Sequence, residues 1–483
     1  MKGSVVESET EHQQSVQGTL QHILELLSKQ RLVENLVSRQ PMAQHDLVQS
    51  LVARQHRTEL TNRLARLHPA DIAYILESLP LDDRRQVWGL VPEELDGAVL
   101  LEVSDAVRET LVADMDRREI LEVARHLDSD EIADLVPDLP KDVVPELLRS
   151  LPSQDRAEVQ SVLAFPEGSV GALMDLDVVS VREDKSLDVV HRYLRVRGEL
   201  PAHCNQLVVV DRGGVLKGTL SLETLVTRDP EATVGDVMDR DPVYFRTYDE
   251  ARDASLAFDR YGLVSAPVVN AHQQVVGRLT VDEVMDYMRE TAEREMLSQA
   301  GLREEEDLFA PISKSARNRW MWLALNLLTA FIASRVIGAF EGTIEKLVAL
   351  AALMPIVASI GGNTGNQTIA LTIRGLALDQ IHEGNVGHLL RKEIAVSLLN
   401  GVVWGAVMGL LTFAIYRDYH LALIMLAAMV LNLLLASLAG VFIPLGLKTA
   451  GRDPALGSSV MLTGITDAMG FFIFLGLAAL FLV

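Results

Sequence analysis

The last third of the chain is dominated by apolar stretches long enough to cross a lipid bilayer. A hydrocarbon core about 30 Å thick requires roughly 20 apolar residues in a helix. Because lipid offers no partners to backbone polar groups, such stretches span a membrane only as helices or closed barrels. We therefore predict a domain of five membrane helices over residues 318–483. The predicted spans are 320–340, 347–373, 394–416, 419–447 and 455–483.

One ionised side chain interrupts the last of these stretches. Asp467 is the only charged residue between Pro454 and Val483. A carboxylate in the middle of a membrane helix costs about 2.5–3.5 kcal/mol on insertion scales and normally faces a partner, a cavity or an ion path. The same segment offers no Lys or Arg as a partner, so we predict a cation path. The alternative is a polar contact between packed helices.

The second stretch is unusually polar for a membrane span. Residues 361–367 read Gly-Gly-Asn-Thr-Gly-Asn-Gln, and lipid cannot satisfy these groups, so they must face protein or water. A glycine such as Gly362 lets a backbone carbonyl turn toward an ion. Asn363, Asn366 and Gln367 supply neutral oxygens that can bind the water shell of a cation. A packing seam of small residues is the alternative for the glycines.

Charge is distributed unevenly along the chain. The formal net charge is −22, and residues 318–483 carry nine basic and eight acidic side chains, so residues 1–317 carry −23. Such an acidic half excludes nucleic-acid binding through phosphate contacts and suits cation binding or solubility. Basic residues cluster before the first predicted span and after the second and fourth, which predicts a cytoplasmic N-terminal half and an external C-terminus.

Two sequence features indicate that the acidic half remains in a reducing cytoplasm. Cys204 is the only cysteine, so no intrachain disulfide forms. The first residues are polar and lack the apolar core of a signal peptide.

The acidic half contains two kinds of repeat. After about Arg63, a helix stop followed by a polar cap or Pro recurs every twelve residues as far as Pro152, which predicts short stacked helices. Residues 209–221 then match residues 268–280 at an offset of 59, and each copy reads as strand, turn, strand and helix. We predict an all-α superhelical N domain, an α/β pair and an all-α membrane domain.

The paired α/β copies resemble tandem cystathionine-β-synthase (CBS) domains. In that family an acid six residues after the glycine contacts an adenosine ribose, and Thr224 and Glu283 occupy these positions here. The resemblance implies ATP as a candidate ligand, more weakly for the first copy. The predicted ranges are 1–17 for a disordered tail, 18–165 for the N domain, 170–228 and 229–288 for the CBS domains, 289–317 for a connecting plug helix and linker, and 318–483 for the pore domain.

The complete layout is similar to the MgtE family of bacterial magnesium channels. Its most specific motif is the sequence of residues 361–367, followed by Asp453-Pro454-Ala455 and then Asp467. The resemblance implies a homodimer in the inner or plasma membrane, with Mg²⁺ both transported and regulatory. It implies that Asp467 binds Mg²⁺ in the pore and that Thr463 offers a backbone carbonyl there. The implied regulatory positions are Asp130, Asp134, Gly171, Glu250, Glu283, Asp286 and Glu295.

Some positions depart from the family pattern. Thr291, Arg294 and Gly262 replace acids, and Ser459-Val460 stands where a Pro is common. These departures bear on the number of regulatory ions. They leave the pore prediction unchanged.

Three other function classes compete with a channel. A secondary exchanger coupling Mg²⁺ to Na⁺ or H⁺ stays open as the alternative to a channel. An intramembrane aspartyl protease needs two carboxylates that share a proton, and the predicted spans contain only Asp467. An ATP-driven pump needs a phosphate-binding glycine loop with Lys, which the sequence lacks. The prediction is therefore a Mg²⁺ transporter without enzymatic activity, gated by cytosolic Mg²⁺.

Overall fold

A computed structural model describes residues 16–29, 57–299, 302, 307–378, 380–382, 384–454 and 457–482. The chain divides into two compact units. One is formed by residues up to Glu290 together with Asp307–Phe309, and the other by the remainder from Thr291 onward. Most of the tail predicted for residues 1–17 lies outside the described residues. Val16 and Gln17 begin a helix.

The first unit opens with helices α1 (16–29) and α2 (57–64). The stacked helices that follow are α3 Pro69–Glu77, α4 Leu81–Trp88, α5 Asp96–Glu102, α6 Asp105–Asp114, α7 Arg117–Val123, α8 Ser129–Leu135, α9 Val144–Ser150 and α10 Ser153–Val162. The predicted twelve-residue period is confirmed by their starts. Asp116 with Glu119 and Asp128 with Glu131 form two capping boxes twelve residues apart, and each satisfies backbone N–H groups at a helix start.

Buried and half-buried arginines join these helices in a pattern that the sequence prediction missed. Arg84, Arg108 and Arg156 are spaced by multiples of 24 residues. In each case Nε donates to the carbonyl eight residues earlier and Nη2 to the carbonyl five residues earlier. These contacts satisfy carbonyls at the end of the preceding helix. Arg84 is fully buried and forms a two-pronged ion pair with Asp307, at 2.6 and 3.0 Å.

The remainder of the first unit is the pair of α/β copies. Its elements are α11 Val170–Leu173, β1 Ser180–Arg182, α12 Leu187–Arg197, β2 Gln206–Val210, β3 Leu216–Ser221, α13 Leu222–Thr227, α14 Val234–Val237, β4 Phe245–Arg246, α15 Ala251–Tyr261, β5 Ser265–Val269, β6 Val275–Thr280 and α16 Val281–Gln299, of which α16 continues into the second unit.

The two sheets have the same order, β1-β2-β3 and β4-β5-β6, with a parallel pair and then an antiparallel pair. Gln206 pairs with Ser221, and Ser265 pairs with Thr280, so the predicted offset of 59 is confirmed at the level of register. The N-domain helices and the second sheet share one buried apolar cluster, whereas the first sheet has its own.

From Ile312 onward, the described residues of the second unit form five long helices and one short helix. They are α17 Ile312–Ala339, α18 Glu341–Lys346, α19 Ala349–Ala377, α20 Val386–Tyr416, α21 Tyr419–Thr449 and α22 Ser458–Phe481. In the described part of the chain, α17, α20, α21 and α22 are long and apolar enough to cross a membrane. The helix α19 is missing from this set because its middle carries the glycines and amides of residues 361–367, and its membrane crossing stays a prediction.

Candidate functional site

A cluster of carboxylates lies where the N domain meets the start of α16. Helix α8 carries Asp130 and Asp134 one turn apart, behind the cap formed by Asp128. Helix α16 begins directly after β6 and carries Glu283 and Asp286 in its first turns. The charges of Asp134, Asp130 and Asp286 all raise the pKa of Glu283, so the four predicted residues lie close together. We call Asp130, Asp134, Glu283 and Asp286 the carboxylate cluster.

Burial and mutual repulsion make the cluster costly to ionise. Burial is the main cause that raises the pKa of Glu283 to about 8, and the charge of Asp134 adds to it. Burial and the charge of Asp130 raise the pKa of Asp134 to about 7. The pKa of Asp130 is raised to about 6 by burial and by the charge of Asp175. Asp134 is exposed on one side, so water screens part of its repulsion. The cluster therefore favours uptake of protons or cations near neutral pH.

The described residues contain no group of three His, Cys, Asp or Glu side chains arranged to hold a metal ion. The donor type still fits Mg²⁺, which prefers carboxylate oxygens and keeps several waters. The cluster is thus a place where a hydrated cation would lower repulsion.

The other predicted regulatory residues lie elsewhere. The backbone N–H of Gly171 donates to the Thr247 carbonyl at 2.8 Å, and Glu250 is an exposed residue at the start of α15. Ser169 forms a backbone bridge with Glu250, so these two segments are neighbours. Glu295 lies three turns beyond Glu283 on α16.

The two positions considered for adenosine binding differ in their surroundings. In the first copy, the backbone N–H of Thr224 donates to Ser221 Oγ, which is the cap of α13. In the second copy, Glu283 belongs to the carboxylate cluster. A nucleotide at the second position would therefore add charge close to carboxylates that already repel one another.

The predicted pore residues lie on two antiparallel helices of the second unit. Ser459 Oγ donates to Asn366 Oδ1 at 2.9 Å, which joins α22 to α19. A β-carbon at Gly362 would lie 3.8 Å from Thr466 Oγ1. From these two contacts, the antiparallel register brings Thr463 to about the level of Asn363, and Asp467 about one turn further along α19, to about the level of Ile360.

Four of the polar side chains predicted to line the pore lie at the surface of this unit. Asn363, Gln367 and Thr463 are exposed, and Asp467 is half-exposed. Ser359 extends the exposed stripe of α19 by one turn. Lipid cannot satisfy amides and a carboxylate, so this face requires water or another protein surface.

A buried carboxylate in the second unit was missed by the sequence prediction. Glu393 was placed just before the third predicted span, but α20 begins at Val386 and Glu393 is 5% exposed. Thr368 Oγ1 donates to Glu393 Oε2 at 3.2 Å, and Lys392 Nζ lies 3.3 Å from Oε1. The adjacent pair Lys392-Glu393 in the sequence is a signal that could have indicated this buried carboxylate.

Family models match most of the chain. A model described as a divalent cation transporter matches residues 354–477. A model described as the MgtE intracellular N domain matches residues 67–168, and CBS domain models match residues 170–231 and 234–290.

Similar proteins cover nearly the full length. The chain is 30% identical over 429 residues to the magnesium transporter MgtE of Thermus thermophilus, which covers 87% of this chain and 94% of that protein. It is 26% identical over 416 residues to the magnesium transporter MgtE of Bacillus subtilis, covering 86% and 92%.

Part of the chain is also similar to a solved structure. A crystal structure of the cytosolic domain of the Mg²⁺ channel MgtE in complex with ATP is 28% identical, with a TM-score of 0.45. It covers 50% of this chain and 98% of that chain.

Proposed function

Because the chain belongs to the MgtE family of magnesium transporters, we propose that it carries Mg²⁺ across the membrane through a pore in which Asp467 binds the ion. We further propose that Mg²⁺ at the carboxylate cluster closes this pore, and that the working unit is a homodimer. We infer from the basic residues around the spans that the acidic half of the chain lies in the cytosol and that the C-terminus lies outside.

One observation supports the pore proposal above the others. The exposed stripe of α19 and the half-exposed Asp467 of α22 lie side by side in a unit built from apolar helices. A carboxylate in such surroundings costs a few kcal/mol unless water or a counter-charge reaches it. A second copy facing this stripe would enclose a polar channel lined by both Asp467 side chains.

The chemistry of Mg²⁺ suits this lining. Mg²⁺ demands near-octahedral oxygen geometry and dehydrates reluctantly, so it usually keeps several waters. The amides of Asn363 and Gln367 can accept hydrogen bonds from those waters without adding charge. Asp467 supplies the negative potential that retains a cation in the bilayer. A dense carboxylate cage would hold the ion too strongly for release.

Passive entry requires no coupled reaction. Each elementary charge gains about 2.3 kcal/mol for every 100 mV of membrane potential, so a divalent ion gains about twice that. In the closed state, Mg²⁺ screens the carboxylate cluster and favours the compact arrangement of the N domain and α16. When the ion leaves, repulsion disfavours that arrangement. This is a shift between two states by differential binding.

Substitution of Asp467 tests the pore proposal. We expect Asp467→Ala and Asp467→Asn to lose Mg²⁺ uptake into proteoliposomes while the protein remains folded, because each change removes the charge that retains the cation. Glu345→Gln, in the short helix α18, is the matched control for loss of one carboxylate from the second unit. Normal uptake by Asp467→Ala would overturn the site assignment.

Current measurements separate a channel from an exchanger. For a channel, currents reverse at the Mg²⁺ equilibrium potential and are indifferent to Na⁺ and pH gradients. Transport that stops when a Na⁺ or H⁺ gradient is collapsed would show that the protein is an exchanger and not a channel.

ATP binding at the CBS pair stays a prediction of the resemblance. Equilibrium binding of ATP to wild type and to Glu283→Gln would test it.

A further inference from the structure

Asn432 is a fully buried amide in the middle of the most apolar helix of the second unit. It lies on α21 with 0% exposure, among buried apolar residues such as Met429 and Leu433. Its Nδ2 donates to the backbone carbonyl of Val357 on α19 at 2.8 Å. Among the described residues, its Oδ1 has no hydrogen-bond partner. Burial of an unpaired polar atom is destabilising, so an apolar residue of similar size would pack there at lower cost.

Two glycines on different helices make room for this amide. A β-carbon at Gly361 of α19 would overlap Asn432 Nδ2. A β-carbon at Gly470 of α22 would lie 3.1 Å from the same nitrogen and 3.3 Å from Oδ1. Gly361 opens the polar motif of α19, and Gly470 follows Asp467 by three residues, just under one turn. One side chain of α21 therefore lies against both helices that carry the proposed pore residues.

We propose that Asn432 is a positioning residue for transport, which sets the spacing of α19 and α22 and thereby the place of Asp467 relative to Asn363. The inference rests on the proposed function of Asp467. The hydrogen bond to Val357 fixes the height of α19 against α21. The contact with Gly470 limits how closely α22 can approach, because the planar amide fills the space between the glycines.

Precise spacing matters more for Mg²⁺ than for a larger cation. Mg²⁺ requires near-ideal octahedral geometry, whereas Ca²⁺ accepts six to eight oxygens in flexible arrangements. Binding groups work best when they are held within about 0.5 Å of the productive geometry. Loss of the Asn432 amide is therefore expected to weaken discrimination between Mg²⁺ and Ca²⁺ as well as uptake.

The test uses the full-length protein in proteoliposomes with an internal Mg²⁺ indicator. We expect Asn432→Leu to keep its thermal stability, because the change removes an unpaired buried oxygen. We expect its uptake per folded molecule at low Mg²⁺ to decrease roughly tenfold or more, the usual effect of removing a group that orients a metal ligand. A purely structural role predicts that stability and uptake change together.

A complementary pair of substitutions keeps the test decisive if Asn432→Leu does not fold. Gly361→Ala should misfold because its β-carbon overlaps the amide, and Asn432→Ala in the same chain should remove the overlap. The double variant should therefore fold better than Gly361→Ala alone and still transport poorly. Ser437→Ala is the matched control, since Ser437 is buried on the same helix and its hydroxyl is also unpaired within the described residues.

Asp467→Ala, measured in parallel, separates the two proposals. If Asp467→Ala is inactive and Asn432→Leu, or the folded double variant, transports Mg²⁺ like wild type with unchanged Mg²⁺/Ca²⁺ preference, the positioning role is overturned. If Asp467→Ala transports normally, the proposed function itself is overturned. Reduced uptake and reduced preference in the Asn432 variants, with Ser437→Ala like wild type, would support the inference.

Discussion

Protons and Mg²⁺ are expected to compete at the carboxylate cluster. The pKa of Glu283 is about 8 in the folded protein and ordinarily 4.5. Between these values the folded state holds more protons than the unfolded chain, so the stability of the soluble half decreases as pH rises from 4.5 to 8. Mg²⁺ can replace the missing proton. We therefore predict that Mg²⁺ stabilises the soluble half strongly at pH 8.5 and weakly at pH 6.

The size of the effect follows from the separation of the two pKa values. Each pH unit corresponds to about 1.4 kcal/mol. From pH 6 to pH 8, Glu283 alone therefore removes at most about 3 kcal/mol. Partial exposure of the cluster lowers this figure, since water screens charges near the surface. For a soluble half of this size, 1 kcal/mol shifts the melting temperature by about 2–4 °C. A loss of several degrees at pH 8.5, reversed by Mg²⁺, is expected.

The assay is limited proteolysis of the full-length protein across a temperature series, with fragments assigned to the acidic half. Four conditions combine pH 6 or 8.5 with or without Mg²⁺. Glu283→Gln should flatten both the pH dependence and the Mg²⁺ dependence, because the amide neither ionises nor binds cations well. The matched control is Glu223→Gln, an exposed residue in the first turn of α13 in the first copy. Equal Mg²⁺ protection at both pH values would refute the reasoning.

Two further predictions concern Arg84, which the sequence prediction did not assign, and Gly171, which it assigned to the regulatory site. Arg84→Met removes the guanidinium that pairs with the buried Asp307 carboxylate and should destabilise the soluble half by about 3–5 kcal/mol, measured as a lower melting temperature. The exposed neighbouring Arg85→Met should change the melting temperature little. Gly171→Ala should reduce the yield of folded protein on size-exclusion chromatography, because a β-carbon there would lie 2.8 Å from the Thr247 carbonyl oxygen and closer still to the ring of Phe165; unchanged yield would contradict this.

Local signals explain why the repeats could be predicted from the sequence. Helix stops and caps act within a few residues, so the twelve-residue spacing that ends at Pro152 was readable without the fold. The turn of each α/β copy is likewise local, since Asp211 and Asn270 accept backbone hydrogen bonds at equivalent positions, 59 residues apart. The pairing of Arg84 with Asp307 spans 223 residues, and no local pattern indicates a contact at that distance.

The carboxylate cluster shows a different limit. The one-turn spacing of Asp130 and Asp134 is visible in the sequence, but their proximity to Glu283 depends on where the fold places α8 relative to the start of α16. That proximity is implied only by the family resemblance. Glu393 shows a third limit, because hydropathy indicates where lipid begins and not where a helix begins. Helix α20 starts eight residues before the predicted span, and Glu393 lies in this extension.

Asn432 marks the point at which sequence and structure give different information. It is the only amide in residues 419–447, so its presence was visible, yet a single Asn in an apolar run is also compatible with an ordinary contact between helices. The structure adds the two glycines, which lie on other helices and 109 residues apart in the sequence. An ordinary packing contact between two helices would need only one glycine facing an apolar side chain. An amide that is paired on one side only, between two glycines on the helices that carry Asn363 and Asp467, is better explained by a requirement for a fixed spacing.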